Sequence, residues 1–133
     1  MAKCSPLDRI RSLCLELPGT SEKVSHGMPT FFAGKKVFVN WVDNHHNDGI
    51  VGIWCAAPAG VQEALIDEEP DRFFRPPYVG VRGWLGVRLE GTKESDIDWD
   101  ETANIIADAY RCVATPKLLK ELAAASAVKD QSQ

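Results

Sequence analysis

At 133 residues the chain is sized for one domain, and 44% hydrophobic with 26% charged residues is an ordinary balance for a globular protein. A core of that size forms without metal or disulfide staples. The formal net charge of −4 disfavours non-specific attraction to nucleic acid or to an anionic membrane.

No apolar run is long enough to span a bilayer, and no secretory leader or lipidation signal is visible. Cys4, Cys14, Cys55 and Cys112 show neither C-x-x-C nor Cys/His ligand spacing, so they give no zinc site. Cys14, Cys55 and Cys112 sit among apolar neighbours, as small core residues do. These features read as a cytoplasmic protein with reduced thiols.

Ser5-Pro6 announces the first helix: a capping hydroxyl, then proline at the first helical position, with Asp8 in the first turn. Leu7, Ile10, Leu13, Cys14 and Leu17 follow at helical spacing, and Pro18-Gly19 ends the run. Residues 22–27 make a weakly patterned first strand. Two apolar-rich runs, 30–33 and 37–42, flank Gly34-Lys35, and glycine's freedom at positive φ marks a tight hairpin there. Pro29 cannot donate to a strand ladder and belongs at a strand entrance.

Residues 43–49, D-N-H-H-N-D-G, form a polar turn before another β-rich run at 50–56. Residues 58–69 hold a short helix with Val61, Leu65 and Ile66 inward, ended by Pro70. A brief strand at 72–75, an extended connection at Pro76-Pro77 and a last strand at 83–89 come next. Asp98 is an N-cap, with Glu101 three residues on in a box-like pairing. Trp99, Ala103, Ile106, Tyr110 and Val113 recur at helical spacing, and Thr115-Pro116 begins a final helix buried through Leu118, Leu119 and Leu122.

The pattern predicts a single α+β domain over residues 1–123, with a flexible tail at 124–133. Its antiparallel sheet has about five strands, with the N-terminal helix and the C-terminal helices packed together on one side.

Four words stand in fixed order along the chain. They are L-P-G-T (17–20), S-H-G-M-P-T-F-F-A-G-K-K-V-F-V-N-W (25–41), P-Y-V-G-V-R-G-W (77–84) and D-W-D-E-x-A-x-I-I-x-D-A-Y-R-C-V-A (98–114). In that series nearly the whole domain resembles the MmcQ/YjbR family. The resemblance implies a CyaY-like fold and DNA binding through two protruding loops, read in that family as a double wing. Carried onto this sequence, the first wing is the basic turn Lys35-Lys36. The second is residues 75–82, where Arg75, Arg82 and the aromatic Tyr78 are placed to touch phosphate and base.

Each other candidate has a plainer reading beside it. The turn at 43–49 gathers Asp43, His45, His46 and Asp48, but glycine falls at its seventh position and Trp54 stands where a calcium loop needs glutamate. It is a solvated turn and not a metal site. His26 and Trp84 are candidate ligand contacts, His26 for its polar surroundings and Trp84 for Gly83 and Gly86 beside it, with a hydrogen bond across the hairpin entrance and core packing as their respective plainer readings. Core packing is the default for Trp41, Trp54 and Trp99, the first two as cross-strand neighbours. Arg72, Arg75, Arg82 and Arg88 cluster in sequence around the Pro-Pro connection.

No G-x-S-x-G, H-E-x-x-H or Cys–His motif is present, and a strand meander of this length cannot supply a nucleotide-type α/β domain. The reading is therefore a binding module without catalysis or cofactor, taking DNA weakly and in a salt-dependent way. The alternative is a small-molecule or protein-partner module using a sheet-face pocket at His26 and Trp84.

Overall fold

The computed structural model describes residues 6–25, 27–43, 51–77, 79–89 and 98–131, with side chains described as far as 124. Helix α1 (Pro6–Leu15) has Pro6 at its first position, where a missing N–H leaves no bond unmade, and buries Ile10 and Cys14. Strands β1 (Thr20–Ser25), β2 (Met28–Ala33), β3 (Lys36–Asp43) and β4 (Val51–Cys55) form an antiparallel meander. Helix α2 (Val61–Glu68), strand β5 (Phe73–Phe74), a 3-10 turn (Val79–Arg82) and strand β6 (Leu85–Arg88) follow. Helices α3 (Trp99–Val113) and α4 (Pro116–Gln131) complete the chain.

The strands make one sheet in the order β1-β2-β3-β4-β6-β5. This is the expected α+β architecture, with six strands instead of about five. The two-residue β5 pairs fully, Phe73 opposite Val87 and Phe74 opposite Gly86. The polar β1 is a complete edge strand, in register with β2 from Thr20 opposite Ala33 to Ser25 opposite Met28. Pro29 is the second residue of β2, opposite Val24 and before the β3 pairing begins at Thr30.

Register explains the core. Phe31, Val39, Cys55 and Leu85 lie opposite one another in a single row across four strands, and each is fully buried. Trp41 pairs with Ile53 and Trp54 with Asn40. The two tryptophans are thus offset by one residue and occupy opposite faces of the sheet, because side chains alternate with period two. Both are buried.

A β-bulge sets α3 on the sheet. Phe31 faces Val39 but Phe32 faces Val37, which leaves Phe38 as an extra residue in β3. Its ring meets Tyr110 of α3 edge-on, with centroids 5.8 Å apart and planes at 82°. The Tyr110 hydroxyl donates to the Pro18 carbonyl at 2.6 Å, tying α3 to the turn between α1 and β1. Arg11 holds α1 to β1 through a two-pronged ion pair with Glu22, at 2.6 and 2.9 Å.

The expected cap of α3 is present in one half. Asp98 Oδ1 accepts from the Glu101 N–H at 2.9 Å, but the Glu101 carboxylate turns away to Arg72. Thr115 caps α4, its Oγ1 accepting from the Leu118 N–H at 3.3 Å.

Candidate functional site

Antiparallel pairing decides which loops share an end of the sheet. The tip between β2 and β3 is a two-residue turn, Gly34-Lys35, closed by Ala33 opposite Lys36. Gly34 has φ 63°, the left-handed conformation glycine adopts without strain. Val39 pairs with Cys55, the last residue of β4, so the hairpin projects beyond that strand's end. Cys55 in turn pairs with Leu85, the first residue of β6, and Phe74 at the close of β5 pairs with Gly86. Lys35, Lys36, Arg75 and Arg82 therefore lie at the same end of the sheet. Strand β6 is two places from β3 and β5 is three, roughly 10 and 14 Å at ordinary strand spacing.

The arginines clustered in sequence divide in space. Arg88 follows Val87 at the far end of β6, and its backbone N–H donates to the Arg72 carbonyl at 2.8 Å. Arg72 is committed to ion pairs with Glu69, at 2.8 Å, and with Glu101. That opposite end also carries Asp43, Asp71, Asp98 and Asp100 at the ends of β3, α2 and α3. Charge is thus segregated within a chain whose total is −4. The basic end is not free of acid, since Glu16, Glu63 and Glu121 lie on elements that reach it.

The second loop is braced. Gln62, buried on α2, donates from Nε2 to the carbonyls of Gly80 at 2.9 Å and Trp84 at 2.5 Å. Gly80 leaves room for the Arg75 stem, whose Cγ would stand 2.6 Å from any Cβ at that position. The Arg82 guanidinium lies 5.9 Å from the centre of the Trp84 ring. Sequence reasoning passed over Gln62; the available signal was a lone amide on the inward side of a short helix beside Val61 and Leu65.

Trp84 itself is buried, at 6% exposure, and belongs to the hydrophobic core. His26 and Tyr78 lie outside the described residues, as do residues 44–50 with His45 and His46. Lys35 and Lys36 are exposed, and among the described residues neither they nor Arg75 and Arg82 form an ion pair.

Among the described residues the thiols fall into two classes. Cys14 and Cys55 are buried, and loss of solvation pushes the Cys14 thiol well above its ordinary range and Cys55 to about 12. Cys112 is exposed on α3, at a polar position of the helix, and so differs from the core placement expected from its neighbours. Its thiol is also raised, by partial burial and then by Asp108. Timed thiol titration of the native protein should find Cys112 labelled readily and Cys14 and Cys55 only on unfolding. Equal rates at Cys55 and Cys112 would show that the row of core residues opens easily.

A family model described as YjbR matches residues 15–112. The crystal structure of Deinococcus radiodurans protein DR2400, which carries a DUF419 domain, is similar with a TM-score of 0.68 at 19% identity, covering 90% of this chain and 89% of that one. No curated protein matches the chain. The structural likeness supports the fold, and the family match spans the whole sheet and nearly all of α3. The chain belongs to the YjbR family.

Proposed function

We propose that this protein is a small cytoplasmic binding module that takes DNA at the end of the sheet that the projecting Lys35-Lys36 hairpin shares with Arg75 and Arg82. What carries the reading is the segregation of charge: these cations share one end, while Arg72 is ion-paired with Glu69 and Glu101 at the other, where the Arg88 backbone is bonded to it. Lysine and arginine on two loops supply phosphate contacts, and the braced turn at 79–84 presents Arg82 without a large ordering cost. Binding is the whole of the proposed activity, with no catalysis and no cofactor. In support, Cys14 and Cys55 are buried and protonated, which disarms them as nucleophiles. Unpaired thiols suit a reducing compartment.

Few cations face the ligand and three carboxylates lie near, so affinity should be weak, sequence-tolerant and steeply salt-dependent. Fluorescence anisotropy with short duplexes at low salt tests this. Arg75→Ala and Arg82→Ala should each weaken binding uniformly across sequences and reduce the salt slope by about 1. No binding at ~100 μM protein, near the weak end of non-specific affinities, ends the reading.

A further inference from the structure

Where the β2–β3 tip meets the elbow between α3 and α4, an open cleft of about 880 Å³ separates the two. That is within the usual size range of small-molecule sites. Its floor is apolar: Ala33, Val113 and Leu118 line it. Gly19 lets Leu118 sink to that depth, while a side chain at Gly34 would only touch it. A Cβ on Gly19 would stand 2.4 Å from Leu118 Cδ2, and one on Gly34 would stand 3.7 Å from Cδ1. The Gly34 N–H donates to the Gly19 carbonyl at 3.0 Å, which fixes the tip against the α1–β1 turn.

The rim is cationic. Lys35, Lys36 and Lys117 border the cleft, all exposed and without an ion pair among the described residues, against the single carboxylate of Glu121. A bare inorganic anion would gain little here. Pro116 has no N–H, the Leu118 N–H is occupied by Thr115 Oγ1 and the Gly34 N–H by Gly19, so these three positions offer an anion no backbone donor. Glu121 further disfavours a highly charged guest. An apolar floor beneath an excess of ammonium groups instead fits a singly charged organic acid, its body on Leu118 and its anionic group among the lysines.

We infer that this cleft is a binding site for an organic monoanion with an aromatic or aliphatic body. The inference does not depend on DNA binding. Lys35 and Lys36 serve both surfaces, so a bound monoanion would compete with DNA at the tip and leave Arg75 and Arg82 untouched.

Titration of the 15N-labelled full chain with naphthalene-2-sulfonate, followed by NMR, tests it. Saturating shifts are expected at the amides of Gly19, Gly34, Val113, Ala114 and Lys117, with Kd below ~1 mM. The uncharged 2-naphthalenemethanol should bind at least tenfold more weakly, and sulfate should leave these amides unmoved. Lys117→Glu should weaken the sulfonate about tenfold while the fold persists, since an acidic residue suits the first turn of a helix. Arg75→Ala and Arg82→Ala should leave sulfonate binding unchanged whatever they do to DNA, so the two readings fail separately. Shifts centred elsewhere, equal affinity for the alcohol, or indifference to Lys117→Glu would each overturn the assignment.

Discussion

Trp84→Ala should lower the thermal midpoint by about 10–18 °C, the shift that follows from losing ~3–5 kcal/mol in a domain of this size. The side chain is only 6% exposed, so truncation leaves a cavity and does not merely uncover surface. The loss is a large fraction of the ~5–15 kcal/mol that holds an ordinary domain together. Its neighbours cannot close the gap freely. The Trp84 carbonyl is held by Gln62, its N–H donates to the Val79 carbonyl at 3.4 Å, and Gly83 before it is fixed at φ 86°. Arg82 also loses the ring it lies against, so DNA binding should weaken in any residual folded protein. Trp84→Phe, which keeps an aromatic body, should recover much of the midpoint. Differential scanning calorimetry of the two variants reads the result. An unchanged midpoint for the alanine variant would remove Trp84 from the core and return it to the role of a ligand contact.

Local chemistry made the elements legible, and pairing hid the site. Ser5-Pro6, Gly34-Lys35, Asp98 and Thr115-Pro116 mark boundaries because each carries its own reason for the backbone to turn or cap there, and α1, the hairpin, α3 and α4 follow them. The bulge at Phe38 has no such mark, since nothing in V-F-V-N-W says that the pairing will step from Phe31–Val39 to Phe32–Val37 and pass over Phe38. The same gap governs the arginines. Arg72 and Arg75 are three residues apart in sequence, yet the two-residue β5 between them sets Arg72 beside Arg88 and Arg75 toward Leu85, at opposite ends of β6. Lys117 was invisible as a partner of Lys35 because only the packing of Leu118 under Gly19 brings α4 to the tip. Cys112 follows apolar-looking neighbours, but helical phase turns it outward beside Arg111.

Gly52→Ala should be the most damaging of the conservative glycine changes. An alanine Cβ there would stand 2.0 Å from the Val87 carbonyl oxygen, 3.0 Å from its carbon and 3.2 Å from Arg88 Cα. All three are backbone atoms of β6, so no rotamer change relieves the clash. The strands must separate, and the pairs Gly52–Arg88 and Ile53–Val87 separate with them, along with the bond from the Leu89 N–H to the Val51 carbonyl at 2.8 Å. Overpacking a core ordinarily costs ~1–3 kcal/mol, and a main-chain clash in a central ladder belongs at or above the top of that range. Gly86→Ala offers the contrast. Its Cβ would meet the Phe74 ring at 2.4 Å, but that ring is only half-buried on an edge strand and can swing aside. Urea melts should therefore place Gly52→Ala below Gly86→Ala, and both below the parent. Hydrogen exchange should locate the loss in β4 and β6 for Gly52→Ala. Should Gly52→Ala melt with the parent, β4 and β6 would not lie in this register. The same register places Arg75 and Arg82 at the end of the sheet from which the Lys35-Lys36 hairpin projects, so that outcome would also dissolve the geometric support for a shared basic end.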